Sequence, residues 1–213
     1  LLQFLGGIKR FNFGGTCYAN NGYLNQLLIN LGYRVKLCGA DMDNPDVHIV
    51  NIVTIDEKEY LVDTGYGAPF VKPLPLDLKA DYEIESGSDR YRLKPKDKGG
   101  CSRMEFYRDG ELKHGYTAKP TPRQIDYFAK VIQDSYRDTA AFMNRLVLVR
   151  FFPNRTLTIR GLSLVETEGG KSRIHRLESR DELPEAVEKY FSIPQSIVSE
   201  AVADLTELGD AYD

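Results

Sequence analysis

"FNFGGTCYANNGYLNQLL", Phe11 to Leu28, sets a cysteine behind two glycines and a threonine and directly ahead of an apolar run. Threonine is a residue type that starts helices, so Thr16 reads as an N-cap. The spacing predicts a helix from Cys17 to Asn30, with Tyr23, Leu24, Leu27, Leu28 and Leu31 on its buried face and Gly32 as its stop. Cys17 then stands at a helix N-terminus, where unpaired N–H groups and the helix dipole favour negative charge. Gly14 and Gly15 remove side-chain bulk and allow a tight turn. The same N–H groups suit an oxyanion formed on an acyl group. A free cysteine is equally at home as a small packed residue. On these residues alone, nucleophile and structural filler both stand.

Working outward, "YRVKLCGA" (Tyr33 to Ala40) alternates like a strand and "DMDNPD" (Asp41 to Asp46) is a loop by composition. "VHIVNIVTI" (Val47 to Ile55) and "EYLVDTGYG" (Glu59 to Gly67) predict two antiparallel strands around the polar turn "DEKE". His48 opens the first and Asp63 lies in the second. If the two oppose each other directly, the hairpin centre falls between Ile55 and Asp56. Opposed residues share a sheet face, so the Asp63 carboxylate would hold the His48 imidazole. Cys17 on a helix packed against that face would complete a nucleophile, base and orienting group. A lone strand histidine and an aspartate before a turn also have structural uses, and spacing does not separate these.

Composition narrows the class. The chain has 213 residues, a formal net charge of -3 and 42% hydrophobic residues, which suits one large or two small globular domains. Basic residues are dispersed, so no nucleic-acid partner is expected. No apolar run nears the roughly 18 residues of a membrane span, so no membrane partner is expected. Cys17, Cys38 and Cys101 form no paired motif, which predicts a reducing, cytoplasmic location. His48, His114 and His175 are the only histidines and no zinc-ligand spacing occurs, so no metal is expected. The chain begins without Met, and the expectation is that it starts inside a longer protein.

Beyond the prolines of "APFVKPLPL", residues Tyr82 to Tyr116 predict short strands split by "SGSD", "KDKGG" and "RDGE", with Asp109-Gly110 as a hairpin turn. A partial β-barrel suits this section. In "KPTPRQIDYFAKVIQDSYRDT" Pro122 stands near a helix start, and Ile125, Phe128, Ala129, Ile132 and Tyr136 follow helical spacing. "RLVLVRFF" and "RTLTIRGLSLVET" predict strands, and "LPEAVEKYF" and "PQSIVSEAVADLTEL" predict helices. His114 falls near a hairpin end as a surface residue, and His175 on a solvated strand.

The pieces "FGGTCYANNGYLNQLLINLGYRV", "DVHIVNIV" and "YLVDTGYGAPFVKPLPL" resemble the arylamine N-acetyltransferases in order and in the interval from His48 to Asp63. Weaker similarity runs on to the C-terminal helices. The resemblance implies an α+β, cysteine-protease-like fold. Residues 1–70 would hold the catalytic helix and triad strands, 71–118 the β-barrel and 119–213 an α/β lid. It implies that Cys17 takes an acetyl group from acetyl-CoA with His48 as base and Asp63 orienting it. An arylamine, hydrazine or hydroxylamine then collects the acetyl group. Gly65 and Gly67 occupy the place where the family's backbone nears the acyl donor. Related amide synthases and transglutaminase-like hydrolases use the same triad, and a non-catalytic relative is a further alternative. Phe13 and Ala19 depart from the family's usual Arg and Glu. Losing both halves of an ion pair together avoids leaving one buried charge unpaired. The family also carries a longer helical segment before its cysteine.

Overall fold

The computed structural model describes residues 1–140, 143–205 and 208. Two units divide the chain: Leu1 with Gly14–Val131, and Leu2–Phe13 with Ile132–Asp213. No helix among the described residues is long and apolar enough to cross a membrane.

Helix α1 (Leu2–Phe11) belongs to the second unit, and helix α2 (Cys17–Asn30) opens the first with the limits its sequence predicts. Gly32 ends α2. At φ +85 its N–H bonds Ile29 O at 2.9 Å, while Tyr33 N–H bonds Leu28 O at 3.0 Å. That double closure needs a left-handed residue, which glycine supplies without strain. At the other end Thr16 has the extended backbone of an N-cap, but its hydroxyl makes no capping bond and is buried without a partner among the described residues.

After α2 come β1 (Arg34–Asp41), β2 (His48–Ile55), β3 (Lys58–Val62), β4 (Leu74–Pro75), β5 (Tyr82–Ser86), β6 (Asp89–Leu93), β7 (Ser102–Arg108) and β8 (Glu111–Pro122). They form one antiparallel sheet in the order β4-β3-β2-β1-β8-β7-β6-β5. At about 4.8 Å per step, β4 and β6 would lie roughly 30 Å apart in a flat sheet. Instead Leu61 and Leu74 share a single core with Leu93, Met104 and Tyr116, so the sheet curls into a partial barrel. The turns are those the residues favour: Asp109 and Gly110 take φ +52 and +82, the mirror-image turn that matches strand twist.

Two expectations are corrected here. The buried face of α2 is polar. Cys17 and Asn21 are its buried residues, whereas Leu31 is 64% exposed and lies past the last helical residue. Asn25 Nδ2 donates to Asn51 Oδ1 and Asn51 Nδ2 donates to Asn21 O, each at 2.9 Å. These bonds satisfy the amides that dock the helix on β2. The second correction concerns the β2–β3 register. Ile55 opposes Lys58 and Asn51 opposes Val62, so the turn centres between Asp56 and Glu57, one residue later than expected. β3 ends at Val62, and Asp63 follows it.

The predicted helix after Pro122 is shorter than its apolar spacing suggests. β8 continues to Pro122, then a 3-10 turn (Ile125–Phe128) leads into α3 (Ala129–Asp134). Phe128 is fully buried and anchors this segment, since a Cβ on Gly39 would lie 3.2 Å from its ring.

In the second unit β9 (Val147–Phe151), β10 (Arg155–Arg160), β11 (Ser163–Glu168) and β12 (Lys171–Arg176) form an antiparallel sheet in the order β12-β11-β10-β9. Leu157, Ile159 and Leu164 pack with Val187 and Phe191 of α4 (Leu183–Phe191) and Val198 of α5 (Gln195–Asp204). Residues 206–207, at the end of the predicted last helix, lie outside the described residues. β12 is exposed throughout, His175 included. Asn12 Nδ2, just after α1, donates to Phe191 O.

Candidate active site

Cys17, His48 and Asp63 all belong to the first unit, and all three are buried. Cys17 is the first residue of α2, and His48 the first of β2. The loop before His48 is tied to α2, because Tyr18 Oη donates to Val47 O at 2.8 Å. Asp63 does not oppose His48 in the ladder. Continuing the observed register would set it opposite Val50, which shares a face with His48. The one-residue shift of the turn moves the partner by two and keeps the face, so a diagonal contact replaces the direct one.

His48 Nε2 donates to Asp63 Oδ2 at 2.8 Å. A carboxylate only accepts, so Nε2 carries the hydrogen. That leaves Nδ1 as the ring nitrogen available to Cys17, which adds to the rise of His48. Burial draws the imidazole down, but Asp63 and then Cys17 outweigh it, and His48 is raised from 6.5 to about 10. Burial likewise opposes ionisation of Asp63, yet His48, Asn21 and the Gly65 N–H hold its carboxyl below the usual range.

The carboxylate is held on both oxygens. Asp63 Oδ1 accepts from Asn21 Nδ2 at 2.8 Å and from Gly65 N–H at 2.9 Å. Asn21 also donates to Ile49 O at 2.7 Å and accepts from Thr64 N–H at 2.9 Å. Tyr116 covers the imidazole, with ring centroids 4.8 Å apart. Its hydroxyl is fully buried near the Asp63 charge but outside hydrogen-bonding geometry. Burial and that charge keep Tyr116 in its phenol form.

A family model described as N-acetyltransferase matches residues 9–198. The chain belongs to the N-acetyltransferase family. Among curated proteins it is 28% identical over 195 residues to Proansamycin X synthase of Amycolatopsis mediterranei, an alignment covering 84% of this chain and 72% of that one. Among solved structures it superposes on the M. smegmatis arylamine N-acetyl transferase with a TM-score of 0.75 at 23% identity, covering 96% of this chain and 81% of the other. The Mycobacterium marinum arylamine N-acetyltransferase, solved in complex with CoA, gives 0.75 at 23% identity, covering 92% and 76%. The α+β, cysteine-protease-like fold follows from these likenesses. By family, this N-acetyltransferase is an enzyme.

Gly65 is a glycine for a local reason. A Cβ there would lie 2.4 Å from Cys17 Cα and 3.0 Å from Asn21 Nδ2, so the turn after Asp63 lies flat against α2. Gly67 takes φ +74. Phe13 stacks on Phe11 with centroids 5.1 Å apart.

Asn21, Tyr66, His114 and Tyr116 are the contributors that sequence reasoning passed over. Asn21 carried a usable signal, since Cys17, Asn21 and Asn25 recur every four residues on one helical face. His114 carried none, and the surface position expected for it is corrected: its Nδ1 is 2.8 Å from Tyr66 Oη in a partly buried pair.

Proposed function

We propose that this N-acetyltransferase moves an acetyl group from acetyl-CoA to an arylamine, hydrazine or hydroxylamine through a thioester on Cys17. The observation that carries the reading is the buried Cys17–His48–Asp63 set, with Asp63 bonded to His48 Nε2, Nδ1 left for the thiol, and Cys17 at the start of the helix docked on the same sheet. His48 takes the thiol proton, and Cys17 sulfur attacks the acetyl carbonyl carbon. The carbonyl oxygen becomes an oxyanion facing the unpaired N–H groups of the first turn of α2. The carbon–sulfur bond to CoA breaks, and the leaving thiolate takes the proton from His48. In the second half, the amine attacks the acetyl-Cys17 carbonyl and gives its proton to His48, and Cys17 is released. Asp63 keeps the ring oriented and stabilises its charged form. Gly65 and Gly67 form the backbone edge along which the donor approaches Cys17. Free Cys17, Cys38 and Cys101 support work in a reducing cytoplasm.

Mass spectrometry after incubation with acetyl-CoA tests this. One acetyl increment on the peptide carrying Cys17, absent from Cys17→Ser, is the expected result. Full acetyl transfer by Cys17→Ser would overturn the nucleophile. The second reading is the related amide synthase with the same triad, and the likeness to Proansamycin X synthase, a synthase by name, favours it. No acetyl adduct on a thiol that iodoacetamide alkylates rapidly would select it.

A further inference from the structure

Between the turn at Asp109-Gly110 and the middle of β8 the ladder changes phase. Tyr107 opposes Leu112, but the next pair is Phe106 with His114, so Lys113 is an extra residue in a β-bulge. Without it, His114 would oppose Glu105 on the outer face. With it, His114, Tyr116 and Ala118 align with Phe106, Met104 and Ser102, and the ring of His114 turns into the barrel. There it lies against Phe106 at 5.0 Å and Tyr66 at 5.3 Å between centroids, and binds the Tyr66 hydroxyl through Nδ1.

Tyr66 leads back to the site. It follows Gly65 in the turn after Asp63, is 6% exposed, and its ring is 5.8 Å from His48 and 4.9 Å, edge-on, from Tyr116. Tyr116 in turn covers His48 at 4.8 Å. The imidazole is thus backed by two tyrosine rings, and the hydroxyl of one of them is fixed by a second histidine.

We propose that His114 is a positioning residue for the catalytic set: through its hydrogen bond to Tyr66 Oη it fixes the ring that, with Tyr116, holds the plane of His48. Phe70, Tyr91 and Tyr116 pack the ring, and the bond adds a directional anchor at its hydroxyl. This rests on Cys17 and His48 acting as nucleophile and base.

The test compares wild type, His114→Leu, His114→Asn, Tyr66→Phe and the His114→Leu/Tyr66→Phe double variant. Asparagine keeps a polar atom near the place of Nδ1, whereas leucine does not. Single-turnover acetylation of Cys17 by acetyl-CoA should slow about five-fold in His114→Leu and in Tyr66→Phe. The donor concentration for half-maximal rate should stay unchanged. The double variant should be no slower than either single one, and His114→Asn should recover most of the rate. Multiplying losses in the double variant, a wild-type rate in His114→Leu, or no recovery in His114→Asn would each overturn the proposal. Where His114→Leu fails to fold, Tyr66→Phe and His114→Asn decide by the same rates. Alkylation of Cys17 by iodoacetamide, measured on the same proteins, separates the two ideas. Absent acetylation of wild type with an alkylation rate that follows the variant order fails the acetyl-CoA reading and keeps the positioning role.

Discussion

Asn21 stands one helical turn beyond Cys17 and donates to Asp63 Oδ1 at 2.8 Å, so the helix that presents the thiol also holds the carboxylate. The same amide satisfies Ile49 O and Thr64 N–H. Asn21→Leu would remove three bonds, to Ile49 O, Asp63 Oδ1 and Thr64 N–H, though Asp63 Oδ1 keeps the Gly65 N–H; each is worth about 1 kcal/mol, and more at the charged carboxylate. The expected loss is at least about 3 kcal/mol in urea unfolding, against about 1 kcal/mol for Asn25→Ala, which breaks a single half-buried bond. Equal losses for the two variants would contradict this account.

Asp63 is what makes His48 basic. Burial draws the imidazole below 6.5, and the rise to about 10 comes from Asp63 and Cys17. In Asp63→Asn the shape survives but the charge does not. His48 should then be neutral at pH 7, with its NMR titration well below that of wild type and acetyl transfer slower by about 10³-fold or more. A His48 that still titrates near the wild-type value would show that Asp63 is not the source.

The same pair contributes to the pH dependence of stability. His48 is raised on folding, so its contribution is complete below 6.5, declines as pH rises and is gone above about 10. Asp63 is lowered, so its contribution is complete above 3.8 and declines as pH falls below that value. Urea midpoints of wild type should therefore exceed those of Asp63→Asn most clearly near pH 6, with the gap closing toward pH 10. A gap that widens on the alkaline side would contradict a His48 raised on folding.

Gly65 answers to contact, not to backbone freedom. Its Cβ would lie 2.4 Å from Cys17 Cα, and backbone cannot swing aside as a side-chain tip can. Gly65→Ala should displace the thiol from His48. A misplacement of this size lowers rates by up to about 100-fold, seen as slow alkylation of Cys17 by iodoacetamide. Alkylation at the wild-type rate in Gly65→Ala would mean that the helix yields without disturbing the site.

Local signals carried much of this arrangement. Helix α2, the Gly32 stop, the Asp109-Gly110 turn and the helices at Leu183 and Gln195 follow from cap, turn and period alone. The pairing of His48 with Asp63 was legible because a strand period of two preserves the face through a one-residue shift of the turn. The docked face of α2 was not, because apolar spacing assumes an apolar contact and Asn21, Asn25 and Asn51 replaced it with hydrogen bonds. The inward turn of His114 depends on the bulge at Lys113, which only the pairing of β7 with β8 creates.

The turn between β2 and β3 is stabilised by less than it could be. Asp56 and Glu57 take φ +48 and +61, and outside Gly, Asn and Asp such a backbone costs roughly 1–2 kcal/mol. Glu57 has one compensation, an ion pair with Arg34 at 3.0 Å, but the two side chains are 87% and 62% exposed, and exposed pairs contribute about 0–1 kcal/mol. The backbone effect is the larger. Glu57→Gly makes this turn Asp-Gly, as at Asp109-Gly110 in the same sheet, and should raise stability by about 1 kcal/mol in urea unfolding. Because the turn fixes which residue faces His48, a sharper turn should leave alkylation of Cys17 unchanged. A lower urea midpoint for Glu57→Gly, with Arg34→Ala destabilising wild type by a similar amount, would show that the ion pair outweighs the backbone.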